Sequence, residues 1–404
     1  MRPKLHSMNI LHDSSAAARV PRGWAPLALG FRPFFLLAAI VAVLLLVSWS
    51  FVWRGRLHPA YYDAVAWHAH EMLFGYTTAV IAGFLLTAVR NWSGVQTWTG
   101  ARLAGLAAVW LAARILPWID GVSAVVVVVV DTAFLPLLAA SLVRPLWLAT
   151  NRVNRVIVPL LGAMAVANLS SHLQLLGVMH GVGDMRRVML ELVLLLLVLV
   201  AGRVLPSFTQ NAIPTFRTRG RRWVEVAAFA TLAPVVIAEL LPQSPPALGA
   251  SAWALFGTVH VLRLSGWFDR RVLQVPVLWV LHAGYVWLCV GALLNAAALS
   301  GWASPSSALH ALTIGAIGVF TIGMMARVTR GHTGRPIDVE PRMTIAFLLI
   351  NGAVIVRVFA VWLLPRHHAT WIDLSAAMWV IAFAVFLAGH AKMLVRPRVD
   401  GRPG

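Results

Sequence analysis

The chain has 404 residues, of which 60% are hydrophobic and only 12% charged, and its mean hydropathy is +0.79. That composition excludes an ordinary soluble domain and describes a polytopic membrane protein whose surroundings are the lipid bilayer. The formal charge of +19 does not imply a nucleic-acid partner, because the arginines fall between apolar blocks, as in cytoplasmic loops. The single cysteine, Cys289, excludes intrachain disulfides, Cys-based zinc sites and iron–sulfur clusters, which leaves the 14 histidines to hold any metal.

Residues 1–26 read as a cytoplasmic amino-terminal tail. Residues 1–22 contain no apolar run, so the first span is expected to be retained rather than cleaved as a signal peptide. Twelve apolar segments of roughly 17–25 residues, the length that crosses a bilayer, lie within 27–396. They are 31–53, 63–89, 101–118, 121–143, 155–178, 187–205, 223–242, 249–264, 274–298, 305–328, 342–364 and 370–395, and 397–404 form a second cytoplasmic tail. The expected fold is an all-α membrane protein with about twelve transmembrane helices in one bundle. The tails and even-numbered loops hold 25 of the 33 Lys and Arg residues and the odd-numbered loops 6, with Arg32 and Arg357 inside spans and expected to face a polar interior. By the positive-inside rule both termini are cytoplasmic. Even spans end alike, in Arg90-Asn91-Trp92, Val143-Arg144-Pro145, Gly202-Arg203-Val204-Leu205-Pro206, Ala326-Arg327-Val328 and Val395-Arg396-Pro397. This hints at a four-helix unit used three times, as in haem–copper oxidases.

The second span opens on Trp67-His68-Ala69-His70-Glu71-Met72-Leu73-Phe74-Gly75-Tyr76. Ionisable groups are costly in hydrocarbon and mark function by default. His68 and His70, two residues apart, point to opposite sides of a regular helix and suit two neighbouring centres rather than one. His68 shares its face with Glu71 and Met72. Distance from the span ends places His68, His70, His172 and His310, from three helices, in one outer layer, with Glu71, Glu191 and Glu239 as carboxylates able to carry protons. His260 and His282 form a second group nearer the cytoplasm, with His390 on the twelfth span. His58, His180, His367, His368, His6 and His12 read as solvated.

Imidazole suits iron, copper and zinc, and haem iron takes axial histidine from bundle interiors. No C-x-x-C-H motif exists, so any haem is non-covalent and of b type. The candidate metal ligands are His68, His70, His172, His260, His282 and His310. For a haem, His68, His70 and His310 are candidate ligands, and Arg327 and His332 candidate propionate partners at the inner face. Met324-Met325 read as core packing rather than soft ligands.

Longer strings then give a resemblance. They are Gly30-Phe31-Arg32-Pro33-Phe34-Phe35, Trp67-His68-Ala69-His70-Glu71-Met72, Gly83-Phe84-Leu85-Leu86-Thr87-Ala88-Val89, Gly202-Arg203-Val204, Leu281-His282-Ala283-Gly284-Tyr285-Val286-Trp287, and His310 to Ala316 with Gly331-His332-Thr333-Gly334-Arg335. Together they resemble the NnrS family, membrane proteins that carry haem and copper and are tied to nitric oxide metabolism in bacteria. Arg90 departs from the proline expected before Asn91-Trp92. The resemblance implies the bacterial inner (cytoplasmic) membrane, a haem, and copper or a second non-haem metal. It also implies nitric oxide as ligand and an electron donor that is a quinol or a small redox protein. The activity expected is reduction of nitric oxide to nitrous oxide, with Glu71, Glu191 and Glu239 carrying protons. The alternative is a non-catalytic haem–copper protein that senses or buffers nitric oxide or handles metal. A secondary transporter is a third reading, which the outer histidine layer fits poorly.

Overall fold

The computed structural model describes residues 23–241 and 243–402. His6 and His12 lie outside the described residues. Every regular element among the described residues is helical, as the absence of water in hydrocarbon requires of an open chain that must satisfy its own backbone. Twelve helices are long and apolar enough to span a bilayer: α1 (Phe31–Val52), α2 (Ala64–Ser93), α3 (Gly100–Trp118), α4 (Ala124–Leu148), α5 (Arg152–Leu175), α6 (Met185–Ala212), α7 (Arg222–Leu240), α8 (Pro246–Ser265), α9 (Pro276–Leu299), α10 (Pro305–His332), α11 (Pro341–Leu363) and α12 (Pro365–Val395). Each of α8 to α12 begins on proline, whose missing N–H costs nothing in a first turn. Asp63 and Asp184 cap α2 and α6, their carboxylates accepting from the Ala66 and Arg186 N–H groups at 2.8 and 2.9 Å.

The even spans α2, α4, α6 and α10 run farther than their apolar stretches. Pro206, read from the motif as closing the sixth span, lies inside α6, and Arg90, Arg144, Arg203 and Arg327 stand on helices rather than in loops. A helix needs no apolar residues to keep its hydrogen-bond ladder, so it continues past the hydrocarbon until a breaker stops it. In α2 that breaker is Gly94, at φ +69°. α7 is interrupted at Thr231, where Pro234 cannot donate to the carbonyl four residues back.

Consecutive spans pack side by side, and α1 lies against α12 so that the chain closes on itself. The inner wall is made by α2, α6 and α10, whose apolar stretches are 89%, 72% and 72% buried. They recur at every fourth span, the spacing a four-helix unit used three times would give. Arg32 does not face a polar interior. It is fully buried and donates to the carbonyls of Met393, Leu394 and Arg396 at 3.2, 3.3 and 2.5 Å, capping the end of α12. Those last-turn carbonyls have no partner within their own helix, and a guanidinium supplies one.

Three spans depart from the regular helix that the sequence reading assumes. α2 is π-helical over Glu71–Thr77, α10 over Ala311–Val319 and α11 over Val356–Ala360. Each widened turn begins at or beside a titratable candidate, and such bulges concentrate at functional sites.

α9 and α10 approach closely through small residues. A Cβ at Gly284 would stand 2.8 Å from the Phe320 backbone nitrogen and 3.0 Å from its Cα, atoms that cannot step aside. Gly284→Ala should therefore lower stability by about 1–3 kcal/mol, read as a lower melting temperature in detergent. Gly105→Ala, where a Cβ meets nothing within 4 Å, should leave it unchanged or raise it.

Candidate metal centre

α2 enters the bundle from its Asp63 cap and widens at Glu71. The Thr77 hydroxyl donates to the Met72 carbonyl at 2.8 Å and the Thr78 hydroxyl to the Phe74 carbonyl at 2.5 Å, so side chains occupy carbonyls that the π turn shifts out of register. This positions His70 and Glu71 toward α3, α4 and α5.

There a buried group assembles. His70 Nε2 lies 3.1 Å and His172 Nε2 3.0 Å from the same Asp131 oxygen, Oδ2, and the two imidazole centroids are 5.1 Å apart. Among the described residues His70, Asp131 and His172 form the one group of three or more His, Cys, Asp or Glu side chains able to hold a metal ion, with ligand atoms all within 4.8 Å. All three are buried. Asn168 Nδ2 donates to Asp131 Oδ2 at 2.8 Å, and its Oδ1 accepts from His70 Nε2–H at 3.3 Å.

The other Asp131 oxygen is bound by Arg114, whose second amino group donates to Glu71 Oε1 at 2.8 Å. One guanidinium thus bridges two carboxylates with all three side chains nearly inaccessible. Gly75 makes room for it: a Cβ there would stand 2.8 Å from Arg114 Nη1 and 3.0 Å from Glu71 Oε2. With neutral imidazoles the cluster carries one net negative charge, so a bound cation is what would complete it. Outside the spans, the Tyr61 hydroxyl lies 3.1 Å from His172 Nδ1. Burial, and then the nearby Asp131 charge, push that phenol up to about 12, so it stays an O–H at neutral pH and can donate to or accept from the ring.

His68 lies on the other side of α2. Its ring stacks on Trp49 at 4.3 Å, and its Nδ1 is buried without a partner. It lies near Arg357 and His310. His310 Nδ1–H donates to the Ser306 carbonyl at 2.7 Å, which leaves the Nε2 lone pair free, and Arg357 donates to Ser306 Oγ at 3.0 Å while its Nη1 has no partner. Two constellations therefore flank α2, one at His70 and one at His68.

Other expectations are redistributed. Glu71 joins His70 and Arg114 rather than His68 and Met72, because the guanidinium of Arg114 draws it across the π turn. Glu239 on α7 lies 4.0 Å from Arg187 on α6, the helix that also carries Glu191, and among the described residues neither carboxylate forms an ion pair with the His70 group. His260 is tied to the Tyr285 hydroxyl at 2.6 Å, and that hydroxyl accepts from Arg263; His282 Nδ1–H donates to the Leu278 carbonyl at 3.1 Å. Among the described residues neither belongs to a group of three or more His, Cys, Asp or Glu side chains able to hold a metal ion. Arg327 lies over the Phe208 ring and His332 beside Asn91 and Phe31. Seventeen residues along α10, about 25 Å, separate Arg327 from His310, so they do not serve one haem. His58, His180, His367 and His368 are exposed, as expected.

Arg114, Asp131, Asn168 and Tyr61 were not among the sequence candidates. Asp131 follows six valines, and Arg114 is the only charge deep in its span. The cost of intramembrane charge that singled out Glu71 applies equally to them. Arg114→Gln should strand two buried carboxylates and cost about 3–5 kcal/mol, seen as a large fall in melting temperature. Adding Glu71→Gln and Asp131→Asn should restore much of it. Additive losses in the triple variant would mean the three groups do not act as one network.

No curated protein matches the chain. The family model described as NnrS protein matches residues 25–398, nearly its whole length, and the chain therefore belongs to the NnrS family.

Proposed function

We propose that this chain is a membrane metalloprotein of the nitric oxide response that binds nitric oxide at a metal held by His70, Asp131 and His172 and reduces it to nitrous oxide. The buried His–Asp–His group carries the reading. Two imidazoles and one carboxylate suit copper or non-haem iron, and such a metal, when bound, supplies a redox-active Lewis acid with positions open to a small ligand.

The surrounding side chains fit that use. If Nε2 of each histidine turns to a metal, its Nδ1–H needs an acceptor. Tyr61 offers one to His172 at 3.1 Å, and Glu71 Oε1 stands 3.6 Å from His70 Nδ1. Arg114 holds both carboxylates in place. The second constellation fits a non-covalent haem: His310 has a free Nε2 and Arg357 an unpaired amino group for a propionate. Nitric oxide, small and uncharged, reaches the bundle through lipid. An apolar cavity of about 60 Å³ between α1, α2, α6 and α10, lined by Phe35, Thr77, Ile81, Phe320 and Met324, adjoins the π turn of α2.

Reduction consumes two nitric oxide molecules, two electrons and two protons for each nitrous oxide and water formed. The electrons come from a quinol or a small redox protein, and Glu191 and Glu239, at the outer ends of α6 and α7, are the carboxylates placed to bring protons in. One observation favours the second reading, a protein that senses or buffers nitric oxide. The Glu71 charge is engaged by Arg114, which leaves no free acid at the centre.

His172→Ala and Asp131→Asn should each remove metal from the purified protein, and Tyr61→Phe should weaken its affinity about 10- to 100-fold. Proteoliposomes supplied with nitric oxide and a reductant should form nitrous oxide steadily. Metal-replete protein that binds nitric oxide yet forms no nitrous oxide would establish the buffer or sensor instead. Unchanged metal content in His172→Ala and Asp131→Asn would overturn the centre itself.

The proposed orientation, both termini cytoplasmic in the bacterial inner membrane, has its own test. The native Cys289 is buried, so an introduced cysteine reports cleanly. Gln243→Cys and Ser300→Cys should react with an impermeant thiol reagent on intact cells. Reaction only after lysis would reverse the orientation.

A further inference from the structure

At the end of the bundle that carries the arginine-rich loops, α11 and α12 enclose a cavity of about 10 Å³, room for one water-sized body. His390, Met343 and Met393 line it, with Glu340, Arg330 and Arg342. His390 is 4% exposed and its ring stacks on Phe386 at 4.6 Å. Its Nδ1 lies 3.2 Å from the Phe386 carbonyl. A carbonyl only accepts, so Nδ1 carries the proton and, in the neutral ring, Nε2 presents a lone pair. That Nε2 is buried and has no hydrogen-bond partner. A backbone-anchored Nδ1–H with a free Nε2 is the arrangement of a metal-ligating histidine.

The geometry points to a second metal site here, one that holds a single soft monovalent ion, Cu(I), between the His390 imidazole and the thioethers of Met343 and Met393. Thioether and imidazole are the donors that select Cu(I) over harder divalent ions. The charges at the rim permit one added positive charge. Arg330 is paired with Asp338 at 3.1 Å and Arg342 with Glu340 at 2.5 Å, so neither guanidinium faces the cavity uncompensated. All three donors are uncharged, which disfavours a divalent ion in a buried site. The site is separate from the His70–Asp131–His172 centre and does not depend on it.

The test is Cu(I) binding by the full-length protein in detergent, without oxygen, against a chromophoric Cu(I) chelator. His172→Ala protein, with the outer centre broken, should still withdraw Cu(I) from the chelator, and its copper X-ray absorption spectrum should contain a sulfur contribution. The Met343→Leu/Met393→Leu double variant, close to volume-conserving, should lose affinity at least about tenfold and lose the sulfur signal. His390→Ala should weaken binding similarly; where that variant does not fold, the methionine variant decides. Unchanged Cu(I) affinity in the folded methionine variant, or no sulfur-bound copper in the wild type, would leave the cavity to a water molecule and overturn the proposal.

Discussion

A guanidinium held between two carboxylates inside a bilayer-spanning bundle is the interaction on which the rest of the site depends. Arg114 alone would be expelled toward water, and Glu71 or Asp131 alone would be neutralised or excluded, since an isolated charge in low dielectric costs far more than any packing gain around it. Bridged together, the three become tolerable, and each constrains the others. Arg114 fixes one oxygen of Asp131 and so directs the second at His70, His172 and Asn168. It also pulls Glu71 to the His70 side of α2. The widened turn of α2, the bare backbone at Gly75 and the approach of α3 to α2 all serve that bridge.

The π-helical turn of α2 adjoins that bridge. An α-helix gives neighbouring residues fixed 100° steps, which already sends His68 and His70 to opposite sides, and Glu71 reaches the His70 side through its ion pair with Arg114. The wider turn that follows comes at the expense of backbone hydrogen bonds, which the hydroxyls of Thr77 and Thr78 partly replace. The same device in α10 begins directly after His310, and in α11 it contains Arg357. Backbone irregularity in hydrocarbon is tolerated only where protein covers it. Its concentration on two buried spans and their neighbour α11 therefore marks the region the bundle is built to protect.

Much of the fold was legible in the sequence because a bilayer imposes one length and one backbone solution on every crossing. Twelve apolar runs therefore became twelve helices, and the odd loops fell where prolines and glycines stand. The arginine-bearing ends of the even spans were harder, since arginine does not stop a helix, and α6 runs through Pro206 to Ala212. At the site, reading depth along each helix brought His70 and His172 to one layer. The two-residue spacing set His68 and His70 on opposite sides of their helix, but depth says nothing of rotation about the other helix axes, so it could not divide Glu71 from Glu191 and Glu239. Arg114 and Asp131 escaped notice for a different reason. Arg114 is one of two arginines in its span and Asp131 stands behind a valine run, and pairing between two such residues exists only once α3 and α4 are packed.

The tautomers of the buried histidines give the sites distinct characters. His390 and His310 donate Nδ1–H to carbonyls of their own helices, an arrangement set by the backbone, and each keeps a lone pair ready at Nε2. His70 instead spends Nε2–H on Asn168 Oδ1 and Asp131 Oδ2. To take a metal it must move that proton to Nδ1, toward Glu71, or release it. At the proposed His70 centre metal entry would therefore be coupled to proton movement and to the Arg114 bridge, whereas at His310 or His390 it would not. The acceptors nearest the two Nδ1 atoms are Tyr61 for His172 at 3.1 Å and Glu71 for His70 at 3.6 Å, so the Arg114 bridge that positions Glu71 also bears on how readily the proposed rearrangement runs.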